Sequence, residues 1–193
     1  KKGIWKIFDP IVINGDLNIQ PGAQLLFDEN SYLIVKGNLM AKGDQNDKIL
    51  FNGIKNNWKG IYVINGKNIS ILDNVIISNT TQLQEGMLNL NGGVTFYNSD
   101  VEIRNSIFSD SKGEDALNIV NSNFLLKNVL FNKIKSDAFD SDFSKGLVIE
   151  SKFKNISGDA LDFSGSISNI KKTNISTVSD KAISVGEDSL VEI

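Results

Sequence analysis

The chain has no cysteine and no histidine among its 193 residues, and it has only two prolines. Without cysteine there is no disulfide, no thiolate nucleophile and no cysteine-ligated metal site. Without histidine there is no Ser-His-Asp triad, no histidine-ligated zinc and no imidazole base. Any chemistry must therefore use carboxylates, lysine, arginine, tyrosine or serine. Few prolines beside sixteen glycines suit a chain of strands and tight turns.

Long hydrophobic runs and an excess of basic residues are missing as well. The net charge is −3 and the pI is about 5.0, which argues against a nucleic-acid partner, since such proteins usually present a basic face. No apolar run approaches the roughly 18 residues that span a bilayer, so we expect no membrane insertion. The chain starts with Lys1-Lys2 rather than methionine, and we interpret 1–193 as a single domain taken from a larger protein.

A period of 22 residues organises the second half of the sequence. One segment recurs four times at this step: Asp115-Ala116-Leu117-Asn118, Asp137-Ala138-Phe139-Asp140, Asp159-Ala160-Leu161-Asp162 and Lys181-Ala182-Ile183-Ser184. Three apolar columns keep the same step: Leu126, Val148 and Ile170; Phe131, Phe153 and Ile175; Ile134, Ile156 and Val178. A fixed period of this length indicates a solenoid, in which each coil packs only on its neighbours.

The first half keeps the period, with one irregularity. The step from Ile61 to Val94 is one coil plus about 11 residues, which predicts a loop insertion near 79–91. Insertions in solenoids often lie on a binding face, although a decoration without function is an equally good interpretation. Counting through the insertion predicts one core column along the whole molecule: Leu17, Leu39, Ile61, Val94, Leu117, Phe139, Leu161 and Ile183.

Within each coil the apolar residues alternate at spacing two, as in Leu17/Ile19 and Leu33/Val35. This is the period of a strand with one buried face, and turn-forming Gly, Asn, Asp and Ser separate the short strands. No segment shows the period of an amphipathic helix. The sequence therefore predicts an all-β fold, a right-handed parallel β-helix with about 22 residues per coil and roughly eight coils stacked about 4.8 Å apart.

This pattern resembles a known superfamily. The alternation, the period and the Asp-Ala-Leu-Asp-Phe-Ser type of repeat at 159–164 are similar to the right-handed parallel β-helices of pectate lyases and their relatives. Members of that superfamily act as polysaccharide lyases, glycoside hydrolases, epimerases, tail fibres, adhesins or surface spacers. The resemblance implies a bacterial protein that is extracellular or part of the cell envelope, and a polysaccharide as its partner.

Two acidic columns carry the candidate site. Strand alternation turns Asn118, Asp140, Asp162 and Ser184 outward from the core column, whereas Asp115, Asp137, Asp159 and Lys181 fall in the preceding turn. We therefore name Asp140, Asp162 and Lys181 as candidate substrate-binding residues. Carboxylates stacked about 4.8 Å apart repel one another, and a cation would relieve that repulsion. Calcium, which prefers oxygen ligands, is the expected ion, with Asp137, Asp140, Asp159 and Asp162 as candidate ligands.

Simpler interpretations of the same residues remain open. The turn aspartates would equally cap nearby backbone N–H groups, and Lys181 would form a salt bridge with Asp159. The calcium-dependent lyases of the superfamily pair acidic calcium ligands with a Lys or Arg base, but no motif matches residue by residue, so no catalytic residue is assigned. Trp58, Tyr62 and Tyr97 are either sugar-stacking rings or packing at the edge of the core.

Three functions follow from these observations. The first is a non-catalytic extracellular β-helix module that acts as a spacer or as a carbohydrate-binding surface, with no cofactor. The second is a polysaccharide lyase or epimerase that uses the acidic columns with calcium. The third is a fibre or adhesin segment that assembles through its sheets or ends, since a solenoid exposes a sheet edge at each end.

Overall fold

The computed structural model describes residues 2–55, 57–86 and 88–193, and these residues form strands and turns. They contain no helix, and so none that is long and apolar enough to cross a membrane. Three eight-stranded sheets, named here A, B and C, run the length of the molecule, and every strand pair within them is parallel. The predicted all-β parallel solenoid is therefore confirmed.

The strands are numbered along the chain. Sheet A contains β1 (Gly3–Ile7), β4 (Ala23–Phe27), β7 (Ile49–Gly53), β10 (Val75–Ser78), β15 (Ile107–Ser109), β18 (Leu130–Ile134), β21 (Lys152–Ile156) and β24 (Asn174–Val178). Sheet B contains β2 (Ile11–Ile13), β5 (Leu33–Val35), β8 (Ile61–Ile64), β13 (Val94–Tyr97), β16 (Asp115–Val120), β19 (Asp137–Asp142), β22 (Leu161–Ser164) and β25 (Ser184–Val185). Sheet C contains β3 (Leu17–Ile19), β6 (Leu39–Lys42), β9 (Ser70–Asp73), β14 (Val101–Arg104), β17 (Asn123–Lys127), β20 (Lys145–Ile149), β23 (Ile167–Lys171) and β26 (Leu190–Glu192).

Each coil adds one strand to sheets A, B and C in that order, which gives eight coils. The register confirms the 22-residue step in the second half, where Phe139 lies beside Leu161 in sheet B and Phe131 beside Phe153 in sheet A. An additional antiparallel hairpin, β11 (Leu83–Glu85) and β12 (Leu88–Leu90), interrupts the fourth coil between β10 and β13. It falls within the segment in which the sequence predicts an insertion.

The predicted core column is right from Ile61 onward and wrong before it. Ile61 lies beside Leu33, and Leu33 beside Ile11, all in sheet B, whereas Leu17 and Leu39 pair in sheet C. The step from Leu33 to Ile61 is 28 residues, because the turns before and after β7 are longer than in other coils. One of these turns follows β6, where the Asp44 carboxylate accepts two backbone N–H groups at 2.8 Å. Counting back from Ile61 at a constant period therefore selected Leu17 and Leu39, which lie one strand later in their coils than the true members of the column, Ile11 and Leu33.

Like residues stack on like inside the solenoid. The ring of Phe131 lies between those of Phe108 and Phe153, with centroid distances of 4.9 and 4.8 Å and nearly parallel planes. Near the N-terminal end, Phe27 stacks on Trp58 at 4.0 Å. These distances are close to the spacing of neighbouring strands, so the sheets themselves set the ring separation.

The turn between sheets B and C uses a left-handed residue in coil after coil. Asn65, Asn98 and Asn121 have φ between 47° and 55°, and each amide group donates to the one in the preceding coil, at 3.1 and 2.7 Å. Asparagine tolerates this conformation better than most residues. In the next two coils Phe143 and Gly165 take the place of asparagine, and the Phe143 ring, 71% exposed, lies where a side chain at Gly165 would be.

A serine ladder, buried except at its last coil, runs immediately behind that turn: Ser99, Ser122, Ser144, Ser166 and Ser189. Each serine donates its backbone N–H to the hydroxyl oxygen of the serine in the next coil, at 2.8 to 3.1 Å. Each hydroxyl also donates to the carbonyl two residues before it. The polar groups that the turn places in the core are therefore satisfied from coil to coil.

Candidate functional site

The outer face of sheet B carries one row of side chains, one from each coil. Strand pairing places these residues side by side along the solenoid: Val12, Ile34, Tyr62, Thr95, Asn118, Asp140, Asp162 and Ser184. The row is apolar through the third coil, polar at Thr95 and Asn118 in the fourth and fifth, and acidic at Asp140 and Asp162 in the sixth and seventh. Asn118, Asp140, Asp162 and Ser184 point outward as the alternation predicted.

The β11–β12 hairpin covers the apolar half of this row. Leu83 is fully buried against Ile34 and Tyr62, and Leu90 packs at the edge of the same cluster. The Tyr62 hydroxyl donates to the Lys59 carbonyl at 2.6 Å, and burial raises the pKa of Tyr62. The hairpin covers Ile34 and Tyr62, and Thr95 and Asn118 in the next two coils are buried as well. On the polar half of the row a ligand therefore has access from Asp140 in the sixth coil onward.

The acidic half of the row is organised by one amide group. The Asn118 side-chain nitrogen donates to Asp140 at 2.8 Å and to Asp142 at 3.1 Å, which holds the two carboxylates of β19 side by side. Burial, followed by the nearby charges of Asp142 and Asp162, raises the pKa of Asp140, while the Asn118 hydrogen bond opposes that shift. Asn118 was predicted to point outward, but neither Asn118 nor Asp142 was among the predicted site residues.

Asp115 lies behind this group and is 4% exposed. No hydrogen bond to its carboxyl group is found among the described residues. Burial is the largest cause that raises its pKa, to about 8, and the charges of Asp140 and Asp137 add to it. A carboxyl group in this setting holds its proton at neutral pH. The sequence repeat does not distinguish Asp115 from Asp137 and Asp159, because it does not show which of these aspartates the neighbouring coils bury.

Asp137 and Asp159 cap the backbone of the following coil. Asp137 Oδ1 accepts the N–H of Asp159, and Asp159 Oδ1 accepts the N–H of Lys181, both at 2.8 Å. Asp115 does not continue the pattern, since the N–H of Asp137 donates to the Glu114 carbonyl. The capping interpretation of the turn column therefore describes two of its three aspartates.

The Lys181 ammonium group lies beside the Asp159 carboxylate, where a bound cation would otherwise lie. Its ammonium group lies 3.0 Å from Asp159 Oδ2 and 3.2 Å from Asp180 Oδ2, and these carboxylates raise the pKa of Lys181. Asp159 itself is 5% exposed. The salt bridge proposed from the sequence is present, so Lys181 is held by carboxylates rather than presented as a free base.

The residues meet the requirements of calcium only in part. Asp137, Asp159 and Asp162 each offer a carboxylate oxygen within 4.8 Å of the others, whereas Asp140 is not in this group. Calcium takes six to eight oxygen ligands. In this cluster two oxygens already accept backbone N–H groups, and the Lys181 ammonium neutralises Asp159. A divalent ion here would have to displace Lys181.

The three aromatic candidates lie in three different settings. Trp58 is buried in the core, where it stacks on Phe27 and donates its indole N–H to the Ser78 carbonyl at 2.9 Å. Tyr62 is buried beneath the hairpin. Tyr97 alone of the three is on the surface, 45% exposed, on the outward face of sheet B and in line with Val120 and Asp142.

No protein-family model matches the chain, and no curated protein matches it. Among solved structures the chain is similar to QnrB1, a plasmid-mediated fluoroquinolone resistance protein, at 12% sequence identity, over 95% of this chain and 92% of that one, with a TM-score of 0.28. A likeness with so low a TM-score carries no argument about function. The class of this protein, an all-β parallel solenoid of eight coils, rests on its own strand pairing.

Proposed function

We propose that the protein is a non-catalytic carbohydrate-binding β-helix module, related to the pectate-lyase-like superfamily, that works outside the cell or in the cell envelope of a bacterium. The observation that carries the proposal is the polar half of the sheet B row, where the partly exposed Asp140 and Asp162 follow the buried Asn118 in adjacent coils. The ligand is a polysaccharide laid along this row, parallel to the solenoid axis.

The side chains of this face suit sugar hydroxyl groups. Carboxylates accept hydrogen bonds from hydroxyl groups, and a protonated Asp140, which burial favours, donates one. Tyr97 offers an exposed ring beside the row, against which the apolar face of a sugar would stack. The neighbouring lysine, Lys181, is bound to Asp159 and Asp180, which supports binding rather than base catalysis.

The proposal is tested with a panel of neutral and acidic polysaccharides, measured by calorimetry on the wild type and on Asp140→Asn/Asp162→Asn. We expect binding by the wild type and about a tenfold loss in the variant, since each lost charge-assisted hydrogen bond costs on the order of 1 kcal/mol. Asp9→Asn/Asp188→Asn makes the same change of charge at two exposed sites and serves as the control. Absence of binding across the panel, or cleavage of a bound glycan by the pure domain, would overturn the proposal.

The second candidate is a calcium-dependent polysaccharide lyase or epimerase, which the convergence of Asp137, Asp159 and Asp162 favours. It predicts that calcium raises the melting temperature by mass action, and that Lys181→Met enlarges the effect by freeing Asp159. Asp140→Asn/Asp162→Asn should then abolish the effect. A melting temperature unaffected by calcium in both the wild type and Lys181→Met would count against this candidate, as would the lack of unsaturated products absorbing in the near ultraviolet.

A further inference from the structure

A second concave surface lies on the turns between sheets A and B, at the foot of the insertion. It is a cavity of about 400 Å³ that crosses the turns of coils four to seven, from Asn79 to Ser157. Three lysines line it, Lys112, Lys133 and Lys135, against a single carboxylate, that of Asp110. In a protein with a net charge of −3, such a local excess of positive charge stands out from the rest of the surface.

The three ammonium groups have no partner of opposite charge among the described residues. None of them lies within 4.0 Å of a carboxylate there, whereas Lys2, Lys59, Lys127 and Lys181 each do. The three lysines are exposed along one concave surface, and like charges that line the same surface repel one another. A bound anion relieves it, which is the counterpart of the argument for a cation among aspartates.

Neutral donors complete the lining. The Ser157 hydroxyl makes no hydrogen bond to the described residues and is exposed at the rim, so it is available to donate. The side-chain amides of Asn79 and Asn155 are held by Asn52 and Asn132, at 2.8 and 3.0 Å, so these walls are fixed rather than free to rotate. Lysine binds tetrahedral oxyanions as a point charge, and such an ion offers enough oxygens for three separate ammonium groups.

We propose that this cavity, named here the lysine pocket, binds the phosphate or sulfate ester group of an anionic polysaccharide. The inference rests on the proposed function, because the lysine pocket adjoins the acidic row. Lys135 precedes Asp140 of the row by five residues, and Ser157 precedes Asp162 by five, which is about 17 Å along an extended chain and within the reach of a glycan of several sugars. One glycan therefore places its ester group on the lysines while its hydroxyl groups contact the sheet B row.

The test compares dextran sulfate, dextran phosphate and unmodified dextran by calorimetry, with duplex DNA and polygalacturonate as further polyanions. The pocket variant is Lys112→Gln/Lys133→Asn/Lys135→Gln, in which asparagine is chosen at 133 because that residue has φ of 59° and asparagine tolerates it. The control is Lys42→Gln/Lys145→Gln/Lys171→Gln, which removes the same charge from exposed positions of sheet C.

We expect the wild type to bind one or both esterified dextrans, with sulfate and phosphate esters distinguished by their relative affinities. The pocket variant should bind about tenfold more weakly, and the control should match the wild type. Titration with inorganic sulfate should also shift the backbone NMR signals of Asn155 and Ser157 in the wild type and in the control, but not in the pocket variant. An equal loss in both triple variants would overturn the inference, and so would equal affinity for duplex DNA, polygalacturonate or plain dextran.

The same measurements separate this inference from the proposed function. If the pocket variant keeps its affinity while Asp140→Asn/Asp162→Asn loses it, the lysine pocket is not the anion site and the acidic row still binds glycan. If no polysaccharide binds to the wild type, both proposals fail. Melting temperatures of all variants show whether a loss of affinity reflects a loss of folded protein instead.

Discussion

The outer row of sheet B behaves differently in its two halves. In coils two and three Ile34 and Tyr62 occupy it, and the β11–β12 hairpin closes over them. In coils five to eight the same positions hold Asn118, Asp140, Asp162 and Ser184, of which Asn118 is buried and the other three are partly exposed. The backbone is the same in both halves, with parallel strands in register. Only the choice of side chain decides whether a stretch of this face becomes a second small core or an accessible polar surface.

The largest effect is expected in the core that both halves share. Phe153 is fully buried and stacks on Phe131, so Phe153→Ala should lower the free energy of unfolding by about 3–5 kcal/mol. Denaturant unfolding measures the change. Phe143→Ala removes an equal side chain from an exposed turn and should cost little. A loss below about 1 kcal/mol for Phe153→Ala would contradict the placement of its column in the core.

The covered half is tested through the hairpin. Leu83→Ala should cost about 2 kcal/mol, at the lower end for a buried leucine because a surface hairpin can settle into the space left behind. Gln84→Ala, at the next and exposed residue of β11, is the matched control and should be neutral. Equal stability of the two variants in thermal and denaturant unfolding would show that the packing of Leu83 on Ile34 and Tyr62 does not stabilise the hairpin.

The open half is tested through Asp115 and pH. Since the pKa of Asp115 is raised to about 8, the folded protein keeps a proton that the unfolded chain loses above about pH 4. The free energy of unfolding should therefore fall as the pH rises from about 4 to about 8. Asp115→Asn removes this dependence, and we expect it to stabilise the protein by at least about 1 kcal/mol at pH 8 and to change little at pH 4.

Urea unfolding at the two pH values measures this effect. Asp9→Asn, which removes a charge from an exposed position, is the control and should show the same small change at both values. A stability of Asp115→Asn that stays parallel to the wild type between pH 4 and pH 8 would contradict the burial of an uncompensated carboxyl group behind the acidic row.

The smallest effect concerns the capping bond from Asp137 to the N–H of Asp159. Asp137→Ala removes the acceptor, whereas Asp137→Asn keeps an oxygen in the same place without the charge. By analogy with helix capping, the alanine variant should be less stable than the asparagine variant by about 0.5–1 kcal/mol. Thermal unfolding of the pair decides this, and equal stabilities would mean that the bond is replaced by water.

The fold could be predicted from the sequence because the same pattern of buried residues recurs in successive coils. Alanines 116, 138 and 160 and the columns through Phe131 and Leu126 share one step, and each coil repeats the evidence of the last. The first coils were misplaced because their turns vary in length, and a turn such as the one at Asp44 satisfies its own hydrogen bonds without reference to the period. A constant period does not reveal such local additions.

The site was readable only in outline. Alternation placed Asp140 and Asp162 on the surface, because orientation on a strand depends on parity alone. It did not show that Asn118 would bridge Asp140 and Asp142, or that the lysines at 112, 133 and 135 would share a cavity. Those arrangements depend on the shape of the turns and on side-chain conformations, which are set by neighbouring coils rather than by spacing in the sequence.

Because of the serine ladder, this fold tolerates the insertion or deletion of a whole coil better than that of a few residues. Ser122 offers its hydroxyl oxygen to Ser99 and its backbone N–H to Ser144, so each coil presents to the next the same partner that it receives from the last. Gain or loss of a whole 22-residue coil leaves every serine matched. Gain or loss of a few residues leaves a buried donor without an acceptor. Lineages of such a chain would therefore change length in whole coils, by duplication and deletion, and absorb other insertions only in the turns, as the hairpin after β10 does.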